Sequence, residues 1–362
     1  MRPDARGRAC ASGGALTDRR LILGLLALAG LGLLAAAPAL AEDVLSIASY
    51  GGVLQDAETK AMFEPAAKEI GVGVKVYAIQ GTARIATIRA QEKANAPTFD
   101  VMEYFAGVCE QLSRDGLTEP LDFAVIKTDG IPPEFVGKNW VGIDTYSTLL
   151  SYNTKTFGDK GPATWAEFWD VKRFPGRRAL NPTDVTAEIA LLADGVPADK
   201  LYPLDIDRVF RKLNEIKPYI TVWWTTGAQA TQLAKDQEVD TQSIWQERAE
   251  DAIKAGAPIT YTWKQGLLGT NCMVVPKGAP HKELAMKLIA GVVSPELQAN
   301  LPQYTSSGPV NRKAFETGKI TAEQAKELNT APQNVAQQIV QNLGWWADHG
   351  AKMQMRFREL LQ

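Results

Sequence analysis

Ile220-Thr-Val-Trp-Trp-Thr-Thr-Gly227, then Ala228-Gln-Ala-Thr-Gln-Leu-Ala-Lys235, then Glu238-Val-Asp-Thr-Gln-Ser-Ile-Trp245-Gln-Glu-Arg248, is the stretch that decides the fold. A β-branched and aromatic run comes first. Thr-Thr-Gly follows, where a hydroxyl can cap a helix. Ala-rich helical sequence then runs to Lys235. A second strand ends on a Trp, an amide, a carboxylate and a guanidinium. This predicts a strand–helix–strand unit of the kind that builds parallel sheets. In open sheets of that kind ligands collect beyond the carboxyl ends of the strands. Trp245 and Glu247 stand at such an end, where the alternatives are a packing Trp and a solvated Glu.

The same alternation extends toward the N-terminus. Val44–Tyr50 reads as a buried strand closed by Gly51-Gly52, where glycine lets backbone approach a ligand. Residues 55–70 read as an amphipathic helix that Pro65 kinks or splits. Strands are expected at 72–78 and 99–104, with a helix from Gly81 to about Lys93 between them. The strand at 99–104 ends on Glu103 and Tyr104. Trp140–Tyr152 reads as a long strand able to cross between two lobes. Arg178–Leu180 is a short strand, with Asp184 beyond its end and a helix around Glu188 whose carboxylate reads as a solvated face. Of the pair Trp223-Trp224, one is expected in the core, and Trp224 is a candidate for the cleft. Gly266 to Pro276 is the candidate return crossing, and polar helical sequence runs to Gln362.

Residues 1–41 read as a leader. Arg19-Arg20 precede an apolar run from Leu21 to Ala37, and Ala39-Leu40-Ala41 has a small-x-small cleavage pattern. The Arg pair also fits twin-arginine export. The chain carries a net charge of −2, and the leader holds five Arg and two Asp, so the remainder stands at −5. No basic cluster points to nucleic acid, and no second long apolar segment inserts the mature chain into a membrane. Two cysteines follow the leader, Cys109 and Cys272, and either a bridge or two buried thiols fits the spacing. No His, Cys and carboxylate spacing suggests a metal, and no motif calls for a cofactor. Serine-nucleophile, zinc-protease and P-loop signatures are absent from the sequence.

Taken together, several segments resemble a known family. They are Ser49-Tyr-Gly-Gly52, Ala90 to Val101, Leu150-Ser-Tyr-Asn-Thr154, Thr164-Trp165 through Phe174-Pro-Gly176, and Glu238 to Trp245. Val275-Pro-Lys-Gly-Ala-Pro280, Ser294-Pro-Glu-Leu-Gln298 and Gly308-Pro-Val-Asn311 complete the series. Asp236-Gln237 replace the family's usual Gly-containing turn. The chain resembles the extracellular solute-binding proteins of the spermidine/putrescine class. The resemblance implies an α/β fold of the two-lobed type II periplasmic binding kind, each lobe a mixed sheet flanked by helices, with the ligand cleft between them. Residues 42–145 with 270–310 would form lobe I, and 146–269 with 311–362 lobe II. It also implies a periplasmic monomer that delivers a small-molecule solute to an ABC transporter permease, with no catalysis.

On that resemblance the ligand contacts are Ser49, Tyr50, Gly51, Glu103, Tyr104, Asp184, Trp245, Glu247 and Asn271. Aromatic faces and carboxylates suit a flexible polycation such as putrescine or spermidine. The sequence departs from the polyamine pattern at Gly269 and Asn271, where those binders carry a Trp and an Asp, and at Ser307, where they carry a Tyr. A zwitterionic amino acid-like or opine-like ligand is therefore the alternative, with Arg248 meeting a carboxylate. A more distant alternative is a thiaminase-like enzyme that uses Cys109 as its nucleophile.

Overall fold

The computed structural model describes residues 43–362 except 80, 183 and 184, and only the backbone of 81 and 82. The expected leader and Asp184 lie outside the described residues. The strands are β1 (Val44–Ser49), β2 (Gly73–Ala78), β3 (Val101–Phe105), β4 (Trp140–Asn153), β5 (Arg178–Leu180), β6 (Ile220–Trp223), β7 (Thr241–Trp245), β8 (Ile259–Val274) and β9 (Gln338–Val340). They hydrogen-bond in the order β2-β1-β3-β8-β4-β7-β5-β6, with β9 beside β8. β1 runs parallel to β2 and β3, and β5 runs parallel to β6 and β7. The long strands β4 and β8 are antiparallel partners. One end of that pair borders β3 and the other borders β7. The result is a two-lobed α/β fold in which each lobe owns a parallel sheet and the two crossing strands serve both.

The organising unit forms largely as its sequence dictates. The Thr226 side chain accepts from the Gln229 N–H and starts the helix Gly227–Lys235. β6 and β7 are parallel but not adjacent, because β5 lies between them. Residue 237 is a Gln held at φ 54. Its carbonyl accepts from Arg177 Nη2 at 2.7 Å.

The two cores change over along the crossing strands. Leu45, Ile47, Phe63, Val141, Ile143, Leu268 and Met273 share one cluster. Leu150, Trp165, Phe168, Leu213, Leu267 and Trp346 share another. The changeover therefore falls between Ile143 and Leu150 on β4 and between Leu267 and Leu268 on β8. The terminal helix Leu343–Leu361 packs against the helix Ala106–Arg114 of the first lobe and the helix Ile206–Ile216 of the second. Glu188 is not solvated as expected. It is fully buried, and its Oε1 accepts from Trp346 Nε1 at 2.8 Å, fixing the terminal helix to the second core.

The helical run around Pro65 divides into the α-helix Gly52–Glu58, a π turn Thr59–Phe63 and the α-helix Glu64–Glu69. Proline lacks an N–H, and its ring opposes the carbonyl four residues earlier. The wide π turn takes up that misfit. It also leaves Glu58, the last residue of the first segment, fully buried. Cys109 and Cys272 form a disulfide that ties the helix Ala106–Arg114 to β8. The thiol required by the thiaminase-like alternative is therefore committed to a bridge.

Candidate functional site

On the first lobe, β1 ends at Ser49, whose hydroxyl donates to Glu103 Oε2 at 2.6 Å. The chain then turns through Gly51, where φ is 77, and the Gly51 N–H donates to Gln55 Oε1. This throws the half-buried Tyr50 ring out past the strand end. Tyr50 donates to Asn271 Oδ1 at 3.1 Å. The Arg84 guanidinium lies 3.8 Å from the Tyr50 centroid and 5.2 Å from that of Tyr104. Burial, and then the Glu103 carboxylate, push the Tyr50 hydroxyl well above the usual phenol range.

Side chains alternate on a strand, and this separates the expected pair on β3. Glu103 and Phe105 share one side. Tyr104 faces the other, fully buried against Met102 and Cys109. Its hydroxyl donates to the Arg84 carbonyl at 3.1 Å. Tyr104 therefore supports Arg84 from beneath and offers no ring face to the cleft, contrary to the expectation from sequence.

Two carboxylates that the sequence left unremarked join Glu103. Glu58 lies beside it, and Asp144 comes from β4, opposite Asn271 of β8. All three are fully buried. Burial first, and Glu103 second, push the Asp144 carboxyl up to about 8. Burial likewise raises Glu103, partly offset by the Ser49 hydroxyl and Arg84.

The aromatic wall expected to be lost at Gly269 is rebuilt from the neighbouring strand. Tyr146 pairs with Gly269 across the ladder. A Cβ on residue 269 would fall 2.4 Å from the Tyr146 ring, so only glycine leaves that ring room. Phe105 stands 5.3 Å from the Tyr146 centroid and 5.3 Å from that of Tyr50. A row of three rings results, with Phe105 39% exposed in the middle. Neither Phe105 nor Tyr146 was singled out from sequence; the glycine opposite a tyrosine was the available signal.

On the second lobe, Trp245 ends β7 and is half-buried, with its ring edge-on to Trp224 at 5.4 Å. Trp224 is fully buried and donates to the Ser243 carbonyl at 2.9 Å. It backs the site from the core and does not line the cleft. Gly227 admits both the Trp245 ring and the Arg248 guanidinium, since a Cβ there would lie 2.9 Å from the ring and 2.7 Å from Nε. That Nε is buried without an acceptor, and Nη1 reaches Asp251 only at 3.6 Å. Glu247 is half-buried in the first turn of the helix Gln246–Lys254. Burial raises its carboxyl, with Arg248 opposing, and its charge is felt by Asp144. One turn further on, a groove of about 500 Å³ opens among Glu250, Lys254, Tyr261, Tyr304, Gln324 and Glu327.

A family model described as bacterial extracellular solute-binding protein matches residues 61–328. A gamma-aminobutyric acid-binding protein of Pseudomonas aeruginosa is 33% identical over 342 residues, covering 92% of this chain and 94% of that protein. An ABC transporter substrate-binding protein from Bradyrhizobium japonicum superposes with a TM-score of 0.85 at 41% identity, over 89% of this chain and all of that one. The PBP MotA from A. tumefaciens, solved in complex with glucopine, gives a TM-score of 0.79 at 36% identity over 87% of this chain and 99% of its own. The spermidine/putrescine-binding periplasmic protein of Escherichia coli is more distant, at 22% identity over 67% of this chain and 70% of its own.

Proposed function

The chain belongs to the bacterial extracellular solute-binding proteins, and on that premise we propose that it captures a small zwitterion, an ω-amino acid or an opine-like compound, for an ABC importer. One observation carries the reading. Arg248 holds a buried, unmatched guanidinium N–H beside Trp245, while buried carboxyls stand behind the facing strand ends. An ammonium suits the acidic side, and a carboxylate suits the guanidinium, which can meet it through two parallel hydrogen bonds. The aromatic row and Trp245 cover the methylenes between them. The relatives point the same way, since the P. aeruginosa protein is named for gamma-aminobutyric acid and the A. tumefaciens protein holds an opine.

The polyamine reading keeps one support, the excess of carboxyl over guanidinium groups. Its relatives are the distant ones, and a diamine offers Arg248 Nε no acceptor. Ser49, Tyr50, Gly51, Asn271, Trp245 and Glu247 remain the proposed contacts, now joined by Phe105, Tyr146 and Arg248. Export by the leader to the periplasm belongs to the same proposal. Among the described residues no helix is long and apolar enough to cross a membrane.

Thermal unfolding against gamma-aminobutyric acid, opines, putrescine and spermidine tests this directly. A ligand that binds only the folded state at about 100 times its Kd adds about 2.7 kcal/mol. Stabilisation by zwitterions that largely disappears in Arg248→Gln is the expected result. Stabilisation by diamines alone, unchanged in that variant, would overturn the assignment.

A further inference from the structure

Three carboxyl groups meet behind the first lobe's strand ends, each from a different element. Glu58 ends the first helical segment, Glu103 lies on β3 and Asp144 on β4. All are fully buried. Neither Glu58 oxygen nor Glu103 Oε1 has a hydrogen-bond donor among the described residues, whereas Asp144 has Asn271 beside it. Yet Glu58 and Glu103 lie side chain to side chain within hydrogen-bonding reach. Ionised carboxylates are acceptors only. Two of them in contact therefore repel unless a proton sits between them.

The charged and titratable neighbours come from every element packed around this group. Arg84 supplies positive charge, held near the Tyr50 and Tyr104 rings. Tyr50 follows β1, Tyr146 comes from β4, and Glu247 acts on Asp144 from the second lobe. With all three acids ionised, the group and Arg84 together would hold two net negative charges away from water. Burial is costly for an uncompensated charge. A protonated pair removes one of them at no structural cost. Tyr50 and Asn271, hydrogen-bonded to each other, stand beside the group.

We propose that the empty protein holds a proton between Glu58 and Glu103, and that an ammonium arriving at Tyr50 and Asn271 expels it, so that ligand capture releases a proton. The O–H bond of the shared carboxyl breaks, its electron pair stays on the carboxylate, and the proton passes to solvent. The ammonium replaces it as counter-charge. This rests on the amine-bearing ligand proposed above. It makes Glu58, which need not touch the ligand, a specificity-determining residue: a neutral or purely anionic solute cannot drive the proton out. The directions of titration agree. Burial, and then the neighbouring Glu103 and Asp144, hold the Glu58 carboxyl well above the ordinary range.

Calorimetric titration of the protein with gamma-aminobutyric acid at pH 7, in phosphate and in Tris, counts the protons. The ligand stays zwitterionic across the range, since its carboxyl and amine titrate near about 4 and about 10. Net proton release on binding is expected, with affinity rising with pH by up to about tenfold per unit where the released group titrates. Glu58→Gln gives Glu103 a permanent donor. Its proton count and pH slope should fall clearly below the parent's, leaving only what Asp144 contributes. Saturable binding with equal heats in both buffers overturns the proposal, whether or not the variant folds. Proton release that persists undiminished in a folded Glu58→Gln protein overturns the role of Glu58. Absence of gamma-aminobutyric acid binding counts against the ligand reading instead, and the count is then read with putrescine, which also brings an ammonium.

Discussion

β3 and β7 end in the same way on opposite sides of the molecule. Each borders a crossing strand, and each closes on an aromatic residue in extended backbone that passes directly into a helix. Phe105 has φ −62 and ψ 143, and Trp245 has φ −72 and ψ 141. Neither aromatic supplies a side-chain cap to the helix it opens. The residues around the matched aromatics differ. Two positions before the aromatic, β3 carries Glu103 and β7 carries Ser243, both fully buried. Four positions after it, the first helix carries Cys109, bridged to β8, and the second carries Ala249. One scaffold thus carries a buried strand carboxylate and a cross-link on one side, and neither on the other, where Glu247 and Arg248 stand in the first helical turn. Polarity across the cleft comes from a few substitutions on a repeated frame.

The largest expected effect concerns the cross-link. Replacing Cys109 and Cys272 together by Ala makes the first helix resemble the second. The bridge closes a loop of 163 residues, and its loss should reduce stability by about 2–5 kcal/mol in denaturant unfolding. A loss below about 1 kcal/mol would show that the two helices are held equally well by packing alone.

Next comes the acidity. Asp144 titrates near 8 in the folded protein, against about 3.9 in an unfolded chain. The folded state therefore binds more protons across that interval, and stability falls as pH rises from about 4 to about 8. Below that window the contribution is fully present, and above it the contribution is gone. Asp144→Asn should flatten this slope, measured as Tm against pH without ligand. An unchanged slope would remove the acidic character assigned to the first side.

The aromatic pair gives a smaller effect. Trp245→Ala should weaken ligand binding by about 2 kcal/mol, roughly thirtyfold. Phe105→Ala should cost less, because Tyr50 and Tyr146 flank its place. The reverse order in a calorimetric comparison would move the anchor to the first lobe. Smallest is the cap on the neighbouring helix. Thr226→Ala should cost about 1 kcal/mol of stability with little change in affinity.

Much of this frame is legible in the sequence because it is local. Apolar runs, the Thr226 cap and the glycine turns each fix a short segment, and they predicted β1, β2, β3, β5, β6 and β7 to within a few residues, whereas β9, parallel to β8, falls in a tail read as helical. The insertion of β5 between β6 and β7 is not local, and nothing in the organising stretch announces it. Strand ends of the proposed site were legible: Ser49, Tyr50 and Trp245 lie at or just past the ends of β1 and β7, where the pattern puts them. It was not legible where two distant positions had to be read together. Gly269 looks like a lost wall until Tyr146 is seen opposite. Glu58 looks like any polar residue in an amphipathic helix until the π turn around Pro65 buries it against Glu103. Tyr104 failed for the opposite reason, since strand alternation alone turns it away from Glu103.

The register of β4 against β8 slips twice, between Gly142 and Asp144 and again between Thr148 and Leu150. Only a short ladder, Asp144 to Thr148 against Asn271 to Leu267, runs unbroken between the slips. A ribbon interrupted at both ends behaves as a torsion bar with soft collars. The changeover from one core to the other falls within the stretch between the two slips. The bar also carries Asp144 and Tyr146, so any rotation of one lobe against the other re-aims the acidic group and its aromatic neighbour in a single motion.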